Sequence, residues 1–352
     1  MAAAKSVVLV VISCCLIAAS NGMNFPSFFP RDKFGGFPSF PAQNIFSPLM
    51  LGYYNRPGIC KQNPEVIIQQ IVNGSVAADR TLAAGLLRMH FHDAFVRGTE
   101  ASVLLKSPNN DAERNAIPNL SLRGFEVIDA AKAAVEKVCP NVVSCADILA
   151  LAARDSVVAI GGPWWPVPTG RRDGVQSHAS ETTDLPPPSA NFTQLLSMFQ
   201  KKNLDKVDLV ALSAAHTIGR GHCGAFSSRI YDAAGNNAID PTLDAAYANK
   251  LRGFCPPRDT VTTVEMDPNS SLNFDSHYFQ AVLAKQGLFK SDAALLTDAG
   301  ARSLVQTGAS APIIFKSQFG FSMTKMGKIG VLTGRPGEPP SQIRKQCAFV
   351  NP

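Results

Sequence analysis

The sequence predicts an all-α protein, and two observations carry that expectation. From Pro64 onward apolar residues recur at helical spacing, beginning with Val66, Ile67, Ile71, Gly74 and Ala77. Strand-like alternation is scarce, and no repeat of solenoid period breaks the chain into units. The 352 residues are 45% hydrophobic, enough apolar side chain for a sizeable core. Net charge is +6, charged residues are only 17%, and dense Lys/Arg blocks are missing, which argues against a nucleic-acid partner.

The elements follow in order. Residues 1–20 read as a signal peptide: Lys5 gives the charged start, Ser6 to Ala19 is apolar, and Ala18-Ala19-Ser20 offers a small-residue cleavage site. The apolar run is short for a membrane span and lacks a basic flank, so no membrane association is expected after cleavage. Residues 21–52 form a separate arm. There Phe25, Phe28, Phe29, Phe34, Phe37, Phe40 and Phe46 are interleaved with Pro26, Pro30, Pro38, Pro41 and Pro48. Proline at this density blocks helix and sheet, so an extended or disordered arm is expected. It is either a tolerated appendage, the favoured reading, or an aromatic grip on wall polymers.

Residues 53–352 form the domain. Helices are expected from Pro64, through Thr81 to Asp93, over Phe125 to Val138, and over Ala146 to Ile160, where Gly161-Gly162-Pro163 closes the segment. Leu185-Pro186-Pro187-Pro188 is a rigid connector. Asn191 to Lys202, Lys206 to Ala215, Thr242 to Gly253, Phe274 to Gln286 and Pro312 to Gly327 complete the set. Of eight cysteines, Cys14 and Cys15 leave with the signal, and Cys60, Cys139, Cys145, Cys223, Cys255 and Cys347 remain. An even number in an oxidising compartment predicts three disulfides, with fifteen connectivities open. The absence of a Cys-x-x-Cys pair argues against a zinc site. Sequons occur at Asn73, Asn119, Asn191 and Asn269, each a candidate for glycosylation in a secreted chain.

Two histidine motifs carry the chemistry. In Ala84-Gly85-Leu86-Leu87-Arg88-Met89-His90-Phe91-His92-Asp93, Arg88 and His92 share one helix face. A guanidinium beside an imidazole suits peroxide cleavage: the imidazole moves the proton and the guanidinium stabilises the departing oxygen. The second motif, Leu212-Ser213-Ala214-Ala215-His216-Thr217-Ile218-Gly219, offers His216 as an axial ligand to haem iron. A lone histidine is more often a hydrogen-bonded structural residue; Thr217 beside it and Lys290-Ser291-Asp292 further along give this one company. His90-x-His92-Asp93 also admits a metal-hydrolase reading. It is disfavoured, because a helix turns residues two apart away from each other by about 200°.

Together these motifs and cysteines resemble the secreted plant-type haem peroxidases, class III, over about Tyr53 to Asn351. The resemblance implies an all-α fold of two helical halves around one haem b, with two calcium ions. It implies oxidation of phenolic or similar donors by hydrogen peroxide, by a monomer in the cell wall or vacuole. It pairs Cys60 with Cys139, Cys145 with Cys347, and Cys223 with Cys255. It assigns Asp292 to the second nitrogen of His216, and Asn119, helped by Glu113, to the second nitrogen of His92, which excludes Asn119 from glycosylation. It places Phe91 over the iron and the Pro168 carbonyl against phenolic donors.

The calcium regions depart from the pattern. The usual distal stretch is His-Asp-Cys-Phe-Val-x-Gly-Cys-Asp-x-Ser, whereas this chain reads His92-Asp93-Ala94-Phe95-Val96-Arg97-Gly98-Thr99-Glu100-Ala101-Ser102. Both cysteines of a local bridge are gone, and Glu100 replaces an aspartate. The implied distal ligands are Asp93, Glu100 and Ser102 through side chains, with Val96 and Gly98 through carbonyls. The implied proximal ligands are Thr217, Asp267, Ser270, the Asn273 carbonyl and Asp275, with Ser270 in place of a usual threonine. The missing bridge is the one feature that favours a rival reading, a secreted haem-binding wall protein with weak turnover.

Overall fold

The computed structural model describes residues 49–352; the expected signal peptide and residues 21–48 of the arm lie outside the described residues. Eleven α-helices follow one another among the described residues: α1 (Pro64–Ala78), α2 (Leu82–Val96), α3 (Phe125–Val138), α4 (Cys145–Ala159), α5 (Phe192–Lys201), α6 (Lys206–Ser213), α7 (Ala245–Phe254), α8 (His277–Leu283), α9 (Lys290–Ala294), α10 (Ala299–Ser310) and α11 (Pro312–Met326). Two small antiparallel pairs interrupt them, β1 (Asp173–Gly174) with β4 (Ser341–Gln342) and β2 (Arg220–His222) with β3 (Thr263–Glu265). No helix among the described residues is long and apolar enough to cross a membrane.

The helices begin where local chemistry supplies a cap. Asn63 accepts from the Glu65 amide with Pro64 at the first turn, Ser144 accepts from the Asp147 amide, and Asn191 and Asp205 form capping boxes with Gln194 and Asp208. In α4 every residue from Cys145 to Val157 is buried, as expected of a helix surrounded by others. It packs on α1 and α2, and α3 closes that group; α6, α8, α10 and α11 form a second one. A single hydrophobic cluster, including Leu86, Phe95, Leu151, Phe199, Phe279 and Phe319, runs through both groups. A smaller cluster of Phe226, Ile230, Tyr247 and Leu251 surrounds the Cys223–Cys255 bridge. All three disulfides join the pairs that the resemblance implied.

Several expected boundaries move. Met50 exchanges both backbone hydrogen bonds with Thr169, at 3.0 Å each, and Leu49 is buried, so contact with the helical domain already begins at residues 49 and 50. The helix expected over 274–286 is confined to α8. Phe274 instead donates its amide to the Ile160 carbonyl and stacks on Phe315, which holds the chain before His277 out of helix. The helix expected to end at Ala215 closes as α6 at Ser213, and a tighter 3-10 turn over Ala214–Thr217 carries His216. Of the sequons, Asn73, Asn191 and Asn269 are exposed, while Asn119 is buried.

Candidate active site

Helix α2 places Arg88, half-buried, and His92, buried, one turn apart. Nδ1 of His92 lies 2.5 Å from Asn119 Oδ1, and Asn119 Nδ2 donates to the Glu113 carbonyl at 2.8 Å. Glu113 thus supports Asn119 through its backbone, not its side chain. A methyl on Gly85 would stand 2.8 Å from the Arg123 carbonyl, so only glycine lets α2 pass this close to the segment that delivers Asn119. Arg88 donates to Ser121 Oγ at 2.9 Å and the Pro118 carbonyl at 2.7 Å, and no carboxylate among the described residues pairs with it. Burial lowers the Arg88 guanidinium to about 10. Burial, with the charge of Arg88, lowers the His92 imidazole to about 3, so this ring is a neutral base at ordinary pH. Phe91 is half-buried, its ring 4.4 Å from that of Phe95 and 5.8 Å from that of His92.

On the other motif, His216 Nδ1 lies 2.7 Å from Asp292 Oδ1. Burial opposes charge on Asp292, yet the His216 imidazole, the Phe289 amide and the Tyr278 hydroxyl hold its carboxyl below the usual range. Tyr278 donates to the same Oδ1 at 2.9 Å, and Phe289 donates its amide to Oδ2 at 2.7 Å. The Phe289 ring meets His216 edge-on at 5.3 Å. In both histidines Nδ1 is engaged and Nε2 makes no hydrogen bond within the described residues. An imidazole with one nitrogen anchored on a carboxylate and the other free suits an axial haem ligand, so the donor chemistry of this site fits haem.

His90 goes elsewhere. It is buried with Nδ1 unpartnered, and it lines a cavity of about 10 Å³ with Trp165, Pro168 and Arg171. Burial and Arg171 lower its imidazole to about 3. His90 and His92 therefore share no partner, which removes support from the hydrolase reading. Pro168 borders that cavity, and its carbonyl accepts from Arg171 Nη1 at 2.7 Å. No hydrogen bond joins it to Arg88 or His92 among the described residues.

No three His, Cys, Asp or Glu side chains among the described residues form a metal cage by themselves. Candidate calcium sites must draw on hydroxyls and carbonyls. At the distal one, Asp93 accepts from the Ala101 amide at 2.9 Å and the Val103 amide at 3.4 Å. Ser102 Oγ, Glu100 Oε1 and both carboxylate oxygens of Glu113 are buried with no hydrogen-bond partner. Burial raises Asp93 to about 8, Glu100 to about 7 and Glu113 to about 8, and charge repulsion adds to burial at Asp93 and Glu113. Orphaned oxygens and strained carboxylates in one neighbourhood fit a hard cation. Two expected carbonyl ligands are already engaged: Val96 accepts from Lys202 Nζ at 3.0 Å and Gly98 from the Glu100 amide at 2.7 Å.

The proximal set converges on itself. Thr217 Oγ1 lies 3.1 Å from Asp267 Oδ2 and 3.2 Å from Asp275 Oδ1, and Ser270 Oγ donates to Asp275 Oδ2 at 2.5 Å. Asn273 donates its amide to the Ser270 carbonyl. Burial raises the Asp267 carboxyl to about 6, against the pull of His277, whose Nδ1 lies 2.5 Å from Asp267 Oδ1.

Glu113 as a side chain, Ser121, Tyr278, His277 and Phe289 escape a sequence reading. None is flagged by a motif spacing; Tyr278, for example, reaches Asp292 from a different helix.

A family model described as peroxidase matches residues 68–311. The chain belongs to the class III plant peroxidases. It is 50% identical over 315 residues to Peroxidase 56 of Arabidopsis thaliana, covering 89% of this chain and 93% of that protein. Peroxidase 1 of Arabidopsis thaliana is 51% identical over 291 residues, 82% of this chain and 88% of that protein. Peroxidase 1 of Oryza sativa subsp. japonica is 51% identical over 294 residues, 82% and 89%. The class III peroxidase is thus a haem enzyme that acts on hydrogen peroxide, which excludes the metal-hydrolase reading.

Proposed function

We propose that His216 holds the iron of haem b and that Arg88 and His92 cleave hydrogen peroxide beside it, to oxidise phenolic or similar small donors. The observation that carries this is the pairing at both histidines: Asn119 takes Nδ1 of one and Asp292 takes Nδ1 of the other, leaving each Nε2 free. Bound haem supplies the redox centre at which the O–O bond breaks and from which electrons are drawn. The neutral His92 Nε2 takes a proton from the near peroxide oxygen and returns it to the far one as that oxygen leaves. Asn119 fixes the ring so that this nitrogen, and not Nδ1, faces the peroxide. Arg88, held by Ser121 and Pro118 with its charge unneutralised, stabilises the negative charge developing on the leaving oxygen. Asp292 keeps His216 electron-rich. Phe91 screens the iron from bulky molecules, and the Pro168 carbonyl, with a lone pair left beside Arg171, contacts the donor.

The same reading includes two calcium ions, at Asp93, Val96, Gly98, Glu100 and Ser102 and at Thr217, Asp267, Ser270, Asn273 and Asp275. It includes a cleaved signal over 1–20, secretion to the wall or vacuole, and a monomer. The remaining arm residues are an appendage, with contact to wall polymers as the second role. The test is the visible spectrum of the purified protein with added peroxide. A Soret band that changes promptly and recovers with a phenol supports the reading. A Soret band indifferent to peroxide favours the haem-binding wall protein instead, and no Soret band refutes both.

A further inference from the structure

The distal loop carries an arginine where the ion's own carboxylate stands. Arg97 is one residue beyond α2, and its Nε lies 3.3 Å from Glu100 Oε1, an ion pair that is not aligned as a hydrogen bond. Its other nitrogens are spoken for: Nη1 donates to Glu181 at 2.7 Å and 2.9 Å, and Nη2 to Gln176 Oε1 at 3.2 Å. Glu100 is itself buried. Its carboxylate lies over Gly174, where an added methyl would stand 1.7 Å from Oε2. A second cation, Lys202, donates to the Val96 carbonyl and pairs with Asp184 at 3.1 Å.

We propose that Arg97 competes with calcium for Glu100, so that this chain holds its distal ion weakly. This rests on the distal calcium reading above. The physical argument has two parts. A guanidinium this close to Glu100 repels an incoming dication and must give up its loose ion pair when Glu100 turns to the ion. Arg97 does not have to move when it does so, because Glu181 and Gln176 retain it. The exchange therefore swaps one partner of Glu100 for another, with Glu113 and Ser102 supplying unpartnered oxygens behind. Glu181 tunes the competition by drawing the guanidinium off Glu100.

The test uses the haem-loaded protein and measures calcium content by atomic emission and calcium release into a fluorescent chelator. Arg97→Gln should slow release of the faster calcium by about fivefold, a change of ~1 kcal/mol. Arg97→Lys, which keeps the charge, should stay near the native rate. Glu181→Gln should speed release, because the freed arginine then pairs more fully with Glu100. Thermal melts in excess calcium confirm that each variant is folded. If release from Arg97→Gln is unchanged or faster, Arg97 braces the loop instead of competing, and the proposal is overturned. If Arg97→Lys slows release as much as Arg97→Gln, packing and not charge is responsible, which also overturns it. A single bound calcium in both the native protein and Arg97→Gln overturns the distal-site reading itself.

Discussion

Tyr278 and His216 share one oxygen: both meet Asp292 Oδ1, at 2.9 Å and 2.7 Å. The carboxylate is buried, and its charge is sustained by these bonds together with the Phe289 amide. Its basicity toward His216 is therefore shared, and losing the tyrosine bond should strengthen the one to histidine.

The first prediction follows from that arrangement. His216→Ala should lose tightly held haem or show a changed axial ligand in its visible spectrum. Tyr278→Phe should retain haem and lower the iron's reduction potential, since an unshared carboxylate makes the imidazole more electron-rich. An unaltered spectrum in His216→Ala would remove this histidine from the iron.

The second concerns the distal base. Positioned acid–base catalysis is worth roughly 10² to 10⁴-fold. His92→Ala should slow the reaction with peroxide by at least ~10²-fold while haem stays bound. Asn119→Asp should do less, because it keeps an acceptor for Nδ1.

The pH profile of that same step is the third. His92 must be neutral to accept a proton, and burial has lowered it to about 3. Arg88 must be charged, and burial has lowered it to about 10. The rate should therefore be flat across neutral pH, fall with acid only toward pH 3, and fall with alkali toward pH 10. Stopped-flow rates that already drop below pH 6 would show that His92 is less desolvated than its surroundings imply.

Much of this was legible in the sequence, for identifiable reasons. Helices α3 and α4 are long and periodic, and their expected bounds agree with the structure to within a residue. Arg88 and His92 were legible because a helix fixes the relation of i to i+4. The pairings at Asn119 and Asp292 were not readable from spacing: each partner arrives from a distant turn, and only resemblance supplied them. Helix α9, which carries Asp292, has five residues, too few to show a period. The β2–β3 pair has three residues a side and is equally silent. The pairing of Met50 with Thr169 was not readable, because it runs through backbone atoms, which leave no signature in side chains. The bond from Lys202 to the Val96 carbonyl joins segments 106 residues apart, which no spacing shows, whereas Arg97 and Glu100 stand only three residues apart and pair through side-chain conformations that the sequence leaves open.

The last prediction concerns the missing bridge. Relatives are expected to pre-shape the distal loop with a short disulfide, which Ala94 and Thr99 cannot form. The loop is nevertheless not loose. Thr99 is buried, donates its amide to the Ile329 carbonyl at 2.8 Å, and places its hydroxyl 3.2 Å from the Gly327 carbonyl and 3.1 Å from that of Ile329. It thereby ties the loop to the chain that follows α11. A bridge across so few residues is worth roughly 2 kcal/mol in the chain-entropy model. Threonine's hydrogen bonds recover part of that, each typically worth about 1 kcal/mol. The consequence should reach catalysis, because Asp93 follows His92 directly on α2, so that losing the ion loosens the backbone from which His92 reaches Asn119. Mild chelation should remove one calcium readily and lower peroxide reactivity before the fold melts. Ala94→Cys with Thr99→Cys, oxidised, should make that calcium harder to remove, by less than the full bridge because the threonine bonds are lost. Thr99→Val alone should make it easier to remove. Equal chelation sensitivity in the double-cysteine and native proteins, with Thr99→Val also unchanged, would show that loop order does not control the ion, leaving the charges around Glu100 to do so.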